Sequence, residues 1–475
     1  MGLKERTAKG LLWGGIGNGM MQVLNLVFGI FLSRLLTPAD YGVVGALTIF
    51  SAIAGIFSES GFILAIVNKK QVDDADYNAV FWFNVVMSLA IYAGLWFGAP
   101  LIARFYGQPE MVALSRFIFI GFVASALSAT PTAYFFRNLD VKTRSSVQIA
   151  ALALSGVGGV IAAFSGLGYW SIAIQTVIYT FTNSGLLWWR CPWRPSFSFS
   201  GAALRALLPF SMKQLVVSLF TQINNNIFSV LLGRFYGMRV TGFYTQGNKW
   251  TAMGSGTLVG MLNGVGQPVL RQTVDDAERQ LRVFRRLLRF TCILTFPAMF
   301  GLAICAREII VLLITDKWLD SVAVMQILCI GAAFLPVSTL FGNLFNSAGR
   351  PGVYMWNVLT LGTLQTLLLC VTSQYGLTVM LALYSALNVA WAGVWLAVTK
   401  QLMKFRVRLM LTDILPPLVL ALLTMGATWL LTEPISPLWL QLVARILVGG
   451  VLYILAVRLI LPMDFKEALS FLRKK

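Results

Sequence analysis

Apolar runs of about 20 residues follow one another along almost the whole chain, and no connection between them is long enough to hold a soluble domain. That succession constrains the fold more than any single motif. Backbone polar groups in lipid must be satisfied within the structure, so only helices or closed barrels span a bilayer. A helix needs roughly 20 residues to cross the hydrocarbon core, whereas a barrel strand needs about ten. The runs lie at roughly 11–33, 42–67, 79–103, 111–136, 147–166, 169–189, 207–233, 241–268, 289–313, 321–347, 353–373, 376–399, 411–431 and 438–461. They predict an all-α polytopic membrane protein of about 14 transmembrane helices. Only 12% of residues are charged, against roughly 25% in soluble domains. Lipid, not a water-facing surface, therefore sets the fold.

The net charge of +19 does not imply nucleic acid, because the excess falls in short segments between the runs. Lys4, Arg6 and Lys9 precede the first run. Alternate connections then carry Lys69 and Lys70; Arg137, Lys142 and Arg144; Arg190, Arg194 and Arg205; a cluster from Arg271 to Arg289; Arg350; and Lys400 to Arg408. This is positive-inside patterning, and it places both termini of a multi-pass membrane protein in the cytoplasm. The first run continues to Ser33 without a small-residue cleavage site and is expected to be a retained helix. Histidine is absent, which removes the commonest metal ligand and proton shuttle. The five cysteines show no C-x-x-C spacing, so packing, not metal, accounts for them.

The chain repeats itself. "FGIFLSRLLTPADYG" (28–42) aligns without a gap to "FSVLLGRFYGMRVTG" (228–242), matching Phe28 to Phe228, Leu32 to Leu232, Arg34 to Arg234 and Gly42 to Gly242. Six runs separate the copies, so the repeats are parallel. The expected organisation is two six-helix lobes, 1–205 and 206–400, followed by two extra helices and a tail in 401–475. The segment "DDAERQLRVFRRLLRF" (275–290) is amphipathic and is expected to lie on the membrane surface as an interfacial helix.

Polar residues inside the runs are candidates for function. Asn18, Gln22 and Asn25 share one face of the first run. Gln214, Ser218, Thr221 and Asn225 share a face of the seventh, flanked by Asn224 and Asn226. Because those runs are repeat mates, their faces are expected to line a wet cavity, although such amides also serve as interhelical glue. Arg116, Lys213 and Lys249 are the cations assigned to spans, and Arg34 and Arg234 sit at span ends, where snorkelling explains them as well as binding does. Cations with amides suit an anionic, hydroxyl-rich ligand such as a phosphate bearing sugars. Glu59, in "SAIAGIFSESGFILAIV" (51–67), costs roughly 2–4 kcal/mol or more at that depth. It is an ion-pair strut, a group capped by Ser58 and Ser60, or a titrating site for a coupling proton or Na⁺.

Several stretches bear a resemblance: "SRLLTPADYGVVGALTIF" (33–50), "SESGFILAIVNKK" (58–70), "LGRFYG" (232–237), "QPVLRQTVDDAERQLRVFRRLLR" (267–289) and "DKWLDSVAVMQILCIGAAFLPVSTLFGNLFNSAGRP" (316–351). In this order the chain resembles the polysaccharide-exporter branch of the multidrug/oligosaccharidyl-lipid/polysaccharide superfamily, and within it the colanic-acid-type exporters of lipid-linked oligosaccharides. The resemblance implies alternating access between two lobes, no enzymatic step, and a substrate of sugars on a polyprenyl diphosphate. Glu59 before Gly61, Arg34 and Arg234 match its pattern. The expected partners are that glycan lipid, membrane lipids and the polysaccharide polymerase or export machinery, with no nucleic acid and no organic cofactor. A cation-coupled multidrug antiporter of the same superfamily is the alternative. In-span cations outnumber in-span carboxylates, which disfavours it.

Overall fold

Seventeen α-helices account for nearly all of the described residues in a computed structural model, which describes 3–69, 71–403 and 405–462. In chain order they are α1 (Leu3–Leu35), α2 (Pro38–Asn68), α3 (Asp74–Tyr106), α4 (Met111–Phe119), α5 (Gly121–Arg137), α6 (Val141–Phe164), α7 (Trp170–Arg190), α8 (Gly201–Phe235) and α9 (Gly237–Arg271). There follow α10 (Ala277–Ile304), α11 (Ala306–Ile314), α12 (Asp320–Ala332), α13 (Leu335–Ser347), α14 (Pro351–Thr372), α15 (Leu377–Met403), α16 (Val407–Thr432) and α17 (Leu438–Ile460). Ten stretches among the described residues are long and apolar enough to cross a membrane, so the all-α polytopic reading holds. Each of the fourteen expected runs is occupied by a helix or by a broken pair of helices.

Three runs are broken, and two of the breaks are repeat-related. The fourth run divides into α4 and α5 at Ile120–Gly121, and the tenth into α12 and α13 just after Ile330–Gly331. At both places the glycine meets a hydroxyl-bearing helix. A Cβ on Gly121 would lie 3.1 Å from Thr180 Oγ1, and one on Gly331 would lie 2.9 Å from Ser385 Cα. The absence of a side chain lets α7 and α15 approach, and Ser385 donates to the Ile327 carbonyl at 2.8 Å to hold the second break.

The chain forms two compact units, Met1–Gly242 and Phe243–Lys475. The first has two cores. One gathers Phe62, Ile66, Tyr77, Phe81 and Trp193. The other gathers Leu47, Tyr106, Met111, Phe119 and Met238. Beside the first core, Asp76 is buried and takes Lys69 Nζ on both oxygens at 2.6 Å, and Arg137 donates to the Ile66 and Lys69 carbonyls at the end of α2. Those carbonyls lie at the helix end, where intrahelical donors run out; the Ile66 carbonyl also accepts from the Lys69 N–H at 3.3 Å. Small residues let α1 lie on α6: a Cβ on Gly17 would be 2.6 Å from Ser145, and one on Gly156 would be 2.2 Å from Phe28.

The second unit fastens α16 and α17 to α10 and α11 by charge. Asp413 on α16 is fully buried and accepts from Arg285 Nε at 2.6 Å and Arg289 Nε at 3.0 Å, both on α10. Arg445 on α17, 4% exposed, reaches Glu308 on α11 at 2.7 Å and Glu433 at 2.9 Å, and also donates to the Ile304 carbonyl. Between these clamps, Tyr453 Oη donates to the Ile293 carbonyl at 2.9 Å. The expected interfacial helix at 275–290 is therefore corrected. It is the first half of α10, which runs unbroken to Ile304, with Phe284 and Leu288 buried and Arg285 and Arg289 paired with Asp413.

Candidate functional site

The motif "LTPADYG" builds a helix crossing residue by residue. Thr37 caps α2 and Pro38 occupies the first turn, where a missing N–H costs nothing. Asp40 closes a capping box: its Oδ2 accepts from the Thr37 backbone N–H at 2.8 Å, and Thr37 Oγ1 accepts from the Asp40 N–H at 3.3 Å. Asp40 Oδ1 also accepts from the Tyr169 N–H at 3.0 Å, which ties the start of α2 to the start of α7. Gly42 follows at the point of closest approach to α9. A Cβ there would fall 1.7 Å from the Met238 carbonyl oxygen. The repeat mate answers in kind: a Cβ on Gly242 would fall 1.8 Å from the Pro38 carbonyl oxygen. Each copy of the repeat thus presents a bare glycine to the backbone of the other, and no larger residue fits either position with the helices in place.

Neighbouring contacts strengthen this crossing. Gly233 on α8 admits the Tyr106 ring, and Tyr106 Oη donates to the Ala46 carbonyl on α2 at 3.1 Å. Arg234 donates to the Phe105 carbonyl at 3.0 Å and lies over the Phe105 ring. It therefore fastens the end of α8 to the end of α3, and both Arg34 and Arg234 remain exposed at helix ends.

Asn18, Gln22 and Asn25 are exposed along one side of α1, adjoining the side that packs on α6. Asn25 also borders a cavity of about 280 Å³ with Ser155, Gln175, Thr176 and Tyr179. On α8, Asn225 and Thr221 are exposed and Gln222 and Asn226 are half-buried. Asn226 donates to the carbonyl of Gln222 at 2.9 Å, one turn earlier in its own helix. The main partners of α8 in this unit are α2 and α3, whereas that of α1 is α6. Asn18, Gln22, Asn25 and Asn225 stay exposed, and α1 and α8 are not each other's main partner.

Lys249, on α9 in the second unit, is half-buried and makes no hydrogen bond or ion pair among the described residues. Arg116 sits apart from the amides, on α4 against Trp96 of α3. The side chains of Glu59, Lys213 and Gln214 lie outside those described; their backbones belong to α2 and α8. Two buried charged groups escaped the sequence reading. Arg445 stands within the fourteenth run and Asp413 within the thirteenth, yet neither was counted among in-span charges. A charge inside an apolar run was the available signal. Both are paired with groups more than a hundred residues away, so their roles as struts needed the fold. No cluster of three or more metal-ligating side chains occurs among the described residues.

Comparison with known proteins places this geometry. The chain is 24% identical over 366 residues to the lipopolysaccharide biosynthesis protein WzxC of Escherichia coli, covering 75% of this chain and 73% of that one. It is 24% identical over 326 residues to the succinoglycan biosynthesis transport protein ExoT of Rhizobium meliloti, covering 68% and 66%. Its fold is that of the lipid II flippase MurJ in an inward closed conformation, with a TM-score of 0.77 at 14% identity over 94% of this chain and 98% of that one. The family model described as "Polysaccharide biosynthesis protein" matches residues 31–323, more than half of the chain, and the chain belongs to that family.

Proposed function

We propose that the chain is a flippase that moves a polyprenyl-diphosphate-linked oligosaccharide from the inner to the outer leaflet of a bacterial inner membrane, by alternating access and with both termini cytoplasmic. The observation that carries this reading is the open amide face of α1 and α8. Asn18, Gln22, Asn25 and Asn225 stay exposed within membrane-length helices, a costly arrangement unless water or a polar cargo meets them. Amides suit sugar hydroxyls, and Lys249, without a carboxylate partner among the described residues, suits a diphosphate. The names of the relatives, in polysaccharide biosynthesis and transport, support the same cargo. The prenyl chain stays in lipid while the headgroup crosses, so no bond is made or cleaved. The α2–α9 glycine crossing closes the outer end in one of the two states. Glu59 is the candidate for H⁺ or Na⁺ coupling.

Those helices could equally serve a multidrug antiporter, but such a cargo is cationic and needs free carboxylates. Glu308, Asp413 and Asp76, buried among the described residues, are all engaged with Arg or Lys. The test is export of surface glycan in cells. Deletion of the chain should abolish it and leave lipid-linked oligosaccharide on the cytoplasmic side. Lys249→Ala should do the same at a normal protein level, while Lys249→Arg retains part of the flux. Unchanged surface glycan after deletion would refute the function, and full export by Lys249→Ala would remove that residue from the diphosphate site.

A further inference from the structure

Arg116 lies within a 27-residue apolar span, Met111–Arg137, yet no carboxylate among the described residues meets it. Its Nε donates to the Trp96 carbonyl at 3.3 Å, and its guanidinium lies 4.6 Å from the centroid of the Trp96 ring. Tyr92 Oη donates to the Arg116 carbonyl at 3.3 Å, and the Tyr92 and Trp96 rings meet edge to face. The other guanidinium nitrogens have no partner among the described residues. They border a cavity of about 770 Å³ between α3, α4 and α7, walled by Tyr92, Trp96, Phe117, Ile120 and Phe181. This combines one oriented cation with an aromatic slot of ligand size.

We propose that this groove is a binding site for an anionic phospholipid, whose phosphate meets Arg116 and whose acyl chain lies along the aromatic wall. Depth argues for it. The 33 residues of α3 span about 50 Å, against about 30 Å of hydrocarbon. Trp96 is ten residues from Tyr106, about 15 Å from that end of the helix. If the excess length is shared between the two ends, Trp96 lies about 5 Å inside the hydrocarbon boundary. From there an Arg side chain reaches the phosphate level. Stacking on Trp96 fixes the guanidinium plane, so its remaining N–H groups form a fork suited to phosphate oxygens. Access argues for a lipid of the bilayer and not the cargo. Trp96 is 40% exposed and Phe181 47%, with Phe97 79% exposed beside them, and the groove shares no lining residue with α1, α8 or α9. Assignment to the outer leaflet rests on the orientation proposed above; the site itself does not.

The experiment is native mass spectrometry of purified full-length protein equilibrated with equal phosphatidylglycerol and phosphatidylcholine, compared with Arg116→Ala and Arg116→Lys. Wild type should retain phosphatidylglycerol preferentially. Arg116→Ala should lower that preference about tenfold, and Arg116→Lys should keep part of it as a point charge. In a second measurement on protein with Arg116 intact, brominated phosphatidylglycerol should quench tryptophan fluorescence more than brominated phosphatidylcholine, and Trp96→Phe should remove that excess. Wild-type preference in Arg116→Ala, or excess quenching that survives Trp96→Phe, would overturn the proposal. So would equal loss of both lipids, which would leave only an apolar groove, or displacement of phosphatidylglycerol by equimolar polyprenyl phosphate, which would assign the groove to the cargo lipid. None of these readouts depends on transport, so a failed flippase reading and a failed lipid site are told apart.

Discussion

Gly42→Ala perturbs the α2–α9 crossing with a single methyl group. The new Cβ would sit 1.7 Å from the Met238 carbonyl oxygen, half the 3.4 Å at which ordinary van der Waals contact begins, and helix backbone yields less readily than a side chain. Overpacking of this kind costs about 1–3 kcal/mol. The cost falls only on the state in which α2 and α9 touch, so the equilibrium moves toward the open state about 5–150-fold. Gly242→Ala should act in the same direction, since its Cβ would meet Pro38 at 1.8 Å. The double variant should fall short of the sum, because both changes are relieved by one separation. Gly55→Ala is the control: it lies on the same helix with nothing within 4 Å of an added Cβ, and it should be neutral or slightly stabilising. The assay is the rate at which an impermeant thiol reagent, added outside, labels Asn225→Cys in a cysteine-free background. The rate should rise in Gly42→Ala and Gly242→Ala and not in Gly55→Ala. Equal rates in all, with normal transport, would refute the gate.

Asp413→Asn should leave Arg285 and Arg289 without their carboxylate and cost about 3–5 kcal/mol, read as a lower melting temperature in detergent; adding Arg289→Gln should restore part of it. Arg445→Met should destabilise similarly by stranding Glu308, and Glu308→Gln in the same chain should recover stability; a neutral single variant would deny the strut. Thr37→Ala should cost about 1 kcal/mol through the lost cap, visible as a drop in melting temperature that Thr37→Ser largely avoids. Cysteines at 39, 107 and 433 should react with an impermeant reagent from outside, while those at 140, 280 and 404 should not; outside labelling at 280 would reverse the orientation.

The helices were legible because lipid leaves the backbone almost no alternative, and a run such as 376–399 has one outcome. The repeat was legible too, through Gly42 and Gly242, although only the structure shows why glycine is required there: each faces a carbonyl two hundred residues away. The segment 275–290 misled for the same reason. Its arginines look like a membrane-surface stripe until Asp413, more than 120 residues downstream, is found between two of them. The break at Ile120–Gly121 was invisible because no proline or polar cluster marks it; Thr180 of another helix does. Asn18, Gln22, Asn25 and Asn225 were readable as polar positions inside apolar runs, and they are exposed; what meets them was not readable from sequence. Arg116 was grouped with them by charge alone, and the fold sets it against Trp96 instead.

The most direct test of the central claim is translocation by the purified protein. Proteoliposomes would carry a polyprenyl-diphosphate oligosaccharide on both leaflets, with a fluorescent sugar quenched from outside by a membrane-impermeant reductant. With this chain present, and a proton or Na⁺ gradient imposed, the reduced fraction should pass from about half toward completion, and Lys249→Ala should hold it at half. A fraction that stays at half with the wild-type chain under both gradients would contradict the account.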